Sequence, residues 1–163
     1  MGYSSVRRTF NIEHRFLECS GSFDDVHRAL LTIVPPLKQE IWDILARGDR
    51  EKVDAARKTG PKLWLFLTRS HGELTTADGL KSKAIQYEIG NPLTAERMTR
   101  YQLVAGLYAP LRVYLYEDAE GQAVFEYDLP SSLFGQFGDD RVTAVGHELD
   151  MELELTLEAA ASQ

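Results

Sequence analysis

Three consecutive pieces decide the fold: Arg112-Val113-Tyr114-Leu115-Tyr116-Glu117, then Asp118-Ala119-Glu120-Gly121, then Ala123-Val124-Phe125-Glu126-Tyr127. The outer two are rich in β-branched and aromatic residues, which suit a pleated, half-buried surface, and the short glycine-containing link predicts a β-hairpin. Upstream, Ala84, Ile85, Tyr87 and Ile89 mark a further strand over residues 81–89, stopped by Gly90-Asn91-Pro92. Proline has a fixed φ and no N–H, so Pro92 suits the first turn of a helix over residues 93–101, with Asn91 as its cap.

Further upstream, Lys62-Leu63-Trp64-Leu65-Phe66-Leu67-Thr68 is an apolar run too short for a typical helix and bounded by Gly60-Pro61. It predicts a central strand buried on both faces. Phe10, Ile12, His14 and Phe16 alternate within residues 9–17, which predicts a first strand with one buried face. Gly21-Ser22 breaks that strand, and Ser22 with Asp25 three residues later predicts a capped helix start. Phe23, Val26, Leu30, Ile33 and Val34 then form an apolar stripe at helical spacing, ended by Pro35-Pro36. Ile41, Trp42, Ile44 and Leu45 fit a second short helix. Residues 50–58 read as an exposed helical turn or loop, residues 70–80 as a loop holding up to one helical turn, and Pro130-Ser131 as the start of another turn.

The C-terminal segment carries two periodicities. Leu149, Met151, Leu153, Leu155 and Leu157 alternate with polar residues, which reads as strand, whereas Val142, Val145, Leu149, Leu153 and Leu157 make a helical stripe. Glu, Leu, Met and Ala are strong helix formers with weak strand preference, which favours helix. Met151 and Leu155 then project away from the stripe, and a homodimer contact through them is expected. The expected class is α+β: a mostly antiparallel sheet of about five strands packed against helices on one face, with a C-terminal helix, in one domain spanning residues 1–163.

With 163 residues, 44% of them hydrophobic, the chain is long enough to bury about two-thirds of its unfolded surface. The net charge of −7 would repel a phosphate backbone, so nucleic acid is not an expected partner. No apolar stretch is long enough to span a membrane and the first residues lack a signal-peptide core, so no membrane partner and a cytoplasmic location are expected. Cys19 is the sole cysteine, and the histidines lack ligand-type spacing, so neither a disulfide, a metal nor a cofactor is expected. Gly135-Gln136-Phe137-Gly138 lacks the lysine of a phosphate loop, and Ser131-Ser132 lacks the glycines of a nucleophile elbow.

Four pieces occur in order between residues 64 and 138: Ser70-His71-Gly72 after a strand, Gly90-Asn91-Pro92, a Pro-Leu-Arg-Val strand from Pro110 ending Glu117-Asp118, and Tyr127-Asp128-Leu129-Pro130. In these the chain resembles the family of domains of unknown function numbered 302. It departs from that family's pattern in residues 35–60, in the long gap between Pro92 and Pro110, and in Ser70, where an Asp usually precedes the histidine. The resemblance implies an antiparallel sheet backed by helices, related in outline to TATA-box-binding-protein and helix-grip architectures. Some helix-grip relatives enclose ligands, so it also raises the expectation of a small-molecule pocket.

The residues themselves offer two candidate sites. His71, on a glycine-containing loop, with Glu73 two positions on, is the candidate acid–base pair of a cofactor-independent isomerase, lyase or cyclase; Glu88 and Asp128 are alternative partners. Tyr87, Tyr108 and Tyr127, with Asn91 and Arg112, are the candidate ligand-binding set for a pocket between sheet and helices: tyrosines offer apolar walls with hydroxyl tips, and the arginine fork suits a carboxylate. Function is thus expected to be small-molecule binding, with the enzyme and a homodimeric scaffold as alternatives.

Overall fold

The computed structural model describes residues 2–163. Five strands form one antiparallel sheet in the order β1-β5-β4-β3-β2: β1 (His14–Glu18), β2 (Trp64–Ser70), β3 (Ala84–Gly90), β4 (Leu111–Glu117) and β5 (Ala123–Asp128). Between and after them run α1 (Phe23–Ile33), α2 (Gln39–Arg47), α3 (Arg50–Thr59), α4 (Pro92–Thr99), α5 (Pro130–Gly135) and α6 (Asp140–Ala161), with 3-10 segments at Gly72–Asp78 and Leu103–Tyr108. The chain is therefore α+β, with the C-terminal segment helical.

The β4–β5 hairpin forms where local chemistry demands it. Asp118 Oδ1 accepts from the N–H groups of Glu120 at 3.0 Å and Gln122 at 2.8 Å, and Gly121 takes φ +82°, a conformation side chains resist. Along both strands the two faces differ. Leu111, Val113 and Leu115 of β4, and Ala123, Phe125 and Tyr127 of β5, are buried beneath α1 and α6. Arg112, Tyr114, Tyr116, Val124, Glu126 and Asp128 point to the opposite face, where Val124 is the buried one of the six and which no α-helix among the described residues covers.

Burial of apolar surface against that layer holds α1 and α6 in place. Ser22 caps α1 by accepting from Asp25 N–H, and the helix buries Phe23, Val26 and Leu30. Helix α6 buries the stripe Val142, Val145, Leu149, Leu153 and Leu157 and leaves Met151 and Leu155 60% and 65% exposed. Gly146 of α6 lies where a Cβ would come within 2.8 Å of Ser131 Cα, so glycine lets α5 and α6 meet backbone to backbone.

Two strands depart from their sequence readings. The first strand starts at His14, and its alternating residues face the open side: Phe16 is 65% exposed, while Leu17 and Cys19 turn towards the core. The apolar run at residues 62–68 forms an edge strand, β2, instead of a central one. Its apolar character comes from a second, smaller core, in which Trp64 packs with Ile41 of α2, Val53 of α3 and Leu93 of α4. Its free edge is partly covered, since Leu65 N–H donates to Pro35 O at 2.9 Å and Leu37 N–H donates to Leu65 O at 2.8 Å. Residues 50–58 lie in a full helix, α3, capped by Asp49.

Candidate functional site

The second core stops short of the main one, and the gap is a groove. Its walls are Trp42 and Leu45 of α2, Phe66 of β2, Ala95, Met98 and Thr99 of α4, and the Ala109-Pro110-Leu111 segment that enters β4, with Phe134 and Leu149 behind. The volume is about 570 Å³ and the lining is overwhelmingly apolar, within the roughly 300–1,000 Å³ typical of small-molecule sites. Trp42 and Phe66 meet edge to face at 6.3 Å between ring centroids, which fixes one wall.

Local sequence positions the helix that carries the opposite wall. Asn91 Oδ1 accepts from Leu93 N–H at 2.9 Å, capping α4, while its Nδ2 donates to Pro61 O and Lys62 O. Asn91 is thus a cap and a tie to the chain entering β2, and it also borders the groove. Glu96, farther along α4 at the groove's margin, is held by Arg50, Arg57 and Arg100, and Arg57 also donates to Leu93 O at 2.9 Å. These ion pairs lie near the surface, so their effect is to orient α4 more than to stabilise it.

A second hollow, of about 460 Å³, shares the Ala109-Pro110-Leu111 wall and opens onto the uncovered sheet face beside Glu88, Arg112 and Asp128, with Leu107, Tyr108 and Leu133 completing it. The charges around this hollow are unevenly compensated. Glu88 pairs with Arg69 at 2.5 Å and Asp128 with His14 at 2.7 Å, whereas among the described residues Arg112 has no carboxylate within 4.0 Å. Its guanidinium is exposed, and its donors are free for an incoming group.

The tyrosines and arginine read as one pocket lining are divided between the two faces of the sheet. Tyr87 is fully buried under α1, where its hydroxyl meets His27 Nδ1 at 2.7 Å, and burial pushes its pKa up. Tyr127 is buried on the same face, beneath α6. Arg112 points the other way, because neighbouring residues of a strand alternate in direction and Val113 is the buried one. Tyr108 and Arg112 line the same hollow, and Arg112 and Tyr127 border a smaller one of about 230 Å³ on the sheet face, beside His14 and Glu126. The space between the sheet and α1 and α6 is filled by side chains, and the open volume lies at the end of the sheet.

His71 and Glu73 are not brought together either. His71 sits at the start of the 3-10 segment Gly72–Asp78, its backbone N–H donating to Ala84 O at 2.8 Å and its ring edge-on to Tyr114 at 5.4 Å. No carboxylate among the described residues hydrogen-bonds its ring, and Glu73 is exposed. The alternatives Glu88 and Asp128 are engaged by Arg69 and His14.

The histidine that does meet carboxylates is His14. Strand pairing sets His14 opposite Asp128, with Nδ1 2.7 Å from Asp128 and Nε2 3.1 Å from Glu126, and Glu126 also accepts from the Tyr116 hydroxyl at 2.6 Å. The Asp128 hydrogen bond holds the imidazole above its ordinary pKa; burial is the next largest influence and opposes the rise, and the hydrogen bond to Glu126 adds to it. The bond to Glu126 pushes the Tyr116 hydroxyl up to about 12. When the ring is protonated both nitrogens donate, and the imidazolium clasps β1 to β5. The bonus is fully present below the free histidine value of about 6.5 and is lost as pH rises through the higher folded value. Urea denaturation of the parent and a His14→Gln variant across pH 6–9 is expected to show a stability difference that shrinks as pH rises; a constant difference would mean that the ring is neutral throughout.

These features sit on a recognisable class of frame, a five-stranded antiparallel sheet backed on one face by helices. A family model described as "Domain of unknown function DUF302" matches residues 62–160, and the chain belongs to that family. The match extends past residue 138, the limit suggested by the sequence elements, and takes in most of α6. A crystal structure described as an uncharacterized conserved protein DUF302 from Bacillus stearothermophilus is similar to this chain at 17% identity with a TM-score of 0.66, covering 90% of this chain and 97% of that one. At that identity the likeness concerns the fold. Among curated proteins none matches the chain.

Proposed function

We propose that this protein binds a small amphipathic acid, with the apolar body in the groove beside Trp42 and the carboxylate on Arg112. The observation that carries the reading is the Ala109-Pro110-Leu111 wall, common to an apolar groove of about 570 Å³ and to the hollow where Arg112 has no ion-pair partner among the described residues. Burial of the ligand's hydrocarbon would supply the affinity, at about 25 cal/mol per Å². The guanidinium fork would select a planar, charged head group.

Isothermal titration with octanoate and octanamide tests the head-group claim. A hydrogen bond to a charged group is worth about 1.5–3 kcal/mol, so Arg112→Gln is expected to weaken octanoate by about 10–100-fold and leave octanamide nearly unchanged. Equal loss for both ligands, or none for either, would remove Arg112 from the site. Because both nitrogens of His14 are occupied by carboxylates and His71 has none, the geometry favours binding over acid–base catalysis.

A further inference from the structure

The 3-10 segment Leu103–Tyr108 stands at the rim of both hollows: Gly106 faces the groove, and Leu107 and Tyr108 the second hollow. From Leu103 through Ala109 the sequence, Leu-Val-Ala-Gly-Leu-Tyr-Ala, carries no charged side chain. Ala105 alone is fully buried and acts as the anchor, while Leu103, Val104 and Leu107 are 83%, 53% and 74% exposed. In a 3-10 helix residues three apart eclipse, so Val104 and Leu107 lie in line, with Leu103 on the adjoining side. Three large apolar side chains are thus presented to water on a single short turn.

We propose that this turn docks the protein on a zwitterionic lipid bilayer, from which the groove takes its ligand; the sequence expectation of no membrane partner rests on the lack of a spanning segment, which surface docking does not need. Delivery of ligand rests on the binding function proposed above; docking itself does not. The flanks of the turn suit the water–lipid boundary, where amphipathic aromatic and basic side chains concentrate. Tyr101 is exposed, with the Arg141 guanidinium stacked on its ring at 3.8 Å while also pairing with Asp139 at 2.7 Å, and Tyr108 packs against Phe10 at 6.3 Å between centroids. The net charge of −7 favours a zwitterionic surface over an anionic one. A protein partner fits less well, because a stable interface takes roughly 20–30 residues a side and this turn offers six.

Flotation with phosphatidylcholine vesicles is the test, run on the parent and on a Leu103→Asp/Val104→Asp double variant, with octanoate affinity measured on both in the absence of vesicles. Neither substituted residue lines a hollow, and both are exposed, so the variant is expected to fold and to keep its octanoate affinity. The parent is expected to float with the vesicles, and the variant to bind them about tenfold less or weaker. A parent that stays unbound overturns the docking whatever octanoate does. A parent that floats without binding octanoate, with flotation lost in the variant, upholds the docking and removes the acid-binding function. A parent that sediments as a dimer and does not float, with a monomeric variant, assigns the turn to a second copy and overturns the proposal.

Discussion

Phe125→Ala is expected to lower the stability of the fold by about 3–5 kcal/mol, while Phe16→Ala, one strand away, changes it by less than about 0.5 kcal/mol. Phe125 is fully buried on β5, between Leu17 of the edge strand β1 and Leu115 of the central strand β4, beneath the helices that cover this face. Removing its ring forfeits the transfer free energy and leaves a cavity that a close-packed layer closes only in part. Phe16 sits on the uncovered face, 65% exposed, and its ring contributes mainly an edge-on contact with His14 at 5.0 Å. Urea denaturation of both variants checks the difference. Comparable losses would mean that the open face of the sheet is covered in solution.

Ala95→Trp is expected to abolish octanoate binding without unfolding the protein. Ala95 lies on α4, partly exposed, and its methyl group forms part of the groove wall. An indole there occupies the volume intended for the ligand body, and the helix tolerates it, since tryptophan costs less than about 0.7 kcal/mol of helix propensity relative to alanine. Calorimetric titration, beside a thermal melt within a few degrees of the parent, separates filling from unfolding. Retained binding with parental affinity would place the ligand elsewhere.

These two positions also mark how far the sequence could be read. The β4–β5 hairpin was legible because everything that makes it is local: two β-rich runs, an Asp that bridges the turn, and a glycine that accepts positive φ. The helix over residues 140–161 was legible because its composition favours helix even where its period also fits a strand. The face of β1 was not. Its apolar residues alternate correctly, but at a sheet edge alternation does not say which side the helices will take, and Phe16 stayed in the open while Leu17 went inside.

The site shows the same division. Arg112 stood out as an arginine within an apolar strand, and Asn91 as a cap, both from neighbours in sequence. The separation of Arg112 from Tyr87 and Tyr127 follows from strand alternation, yet only the position of α1 and α6 reveals which face is roofed. The His14–Asp128 clasp joins residues 114 positions apart and depends on β1 pairing with β5. Trp42 carried one overlooked signal: on α2 it lies beside, not on, the line of buried Ile41, and with Leu45 three residues on it forms a second apolar stripe. A helix with two such stripes must cover two surfaces or leave one for a guest.

Trp42 also provides the most direct check. It is one of two tryptophans; it lines the groove, partly exposed, whereas Trp64 is buried away from it. Titration with octanoate is expected to shift the emission to shorter wavelength along a saturable curve as hydrocarbon replaces water at the indole, and Trp42→Phe is expected to remove the change. Emission that stays constant up to millimolar octanoate, or a shift that persists in Trp42→Phe, would contradict an acid-binding groove at this end of the sheet.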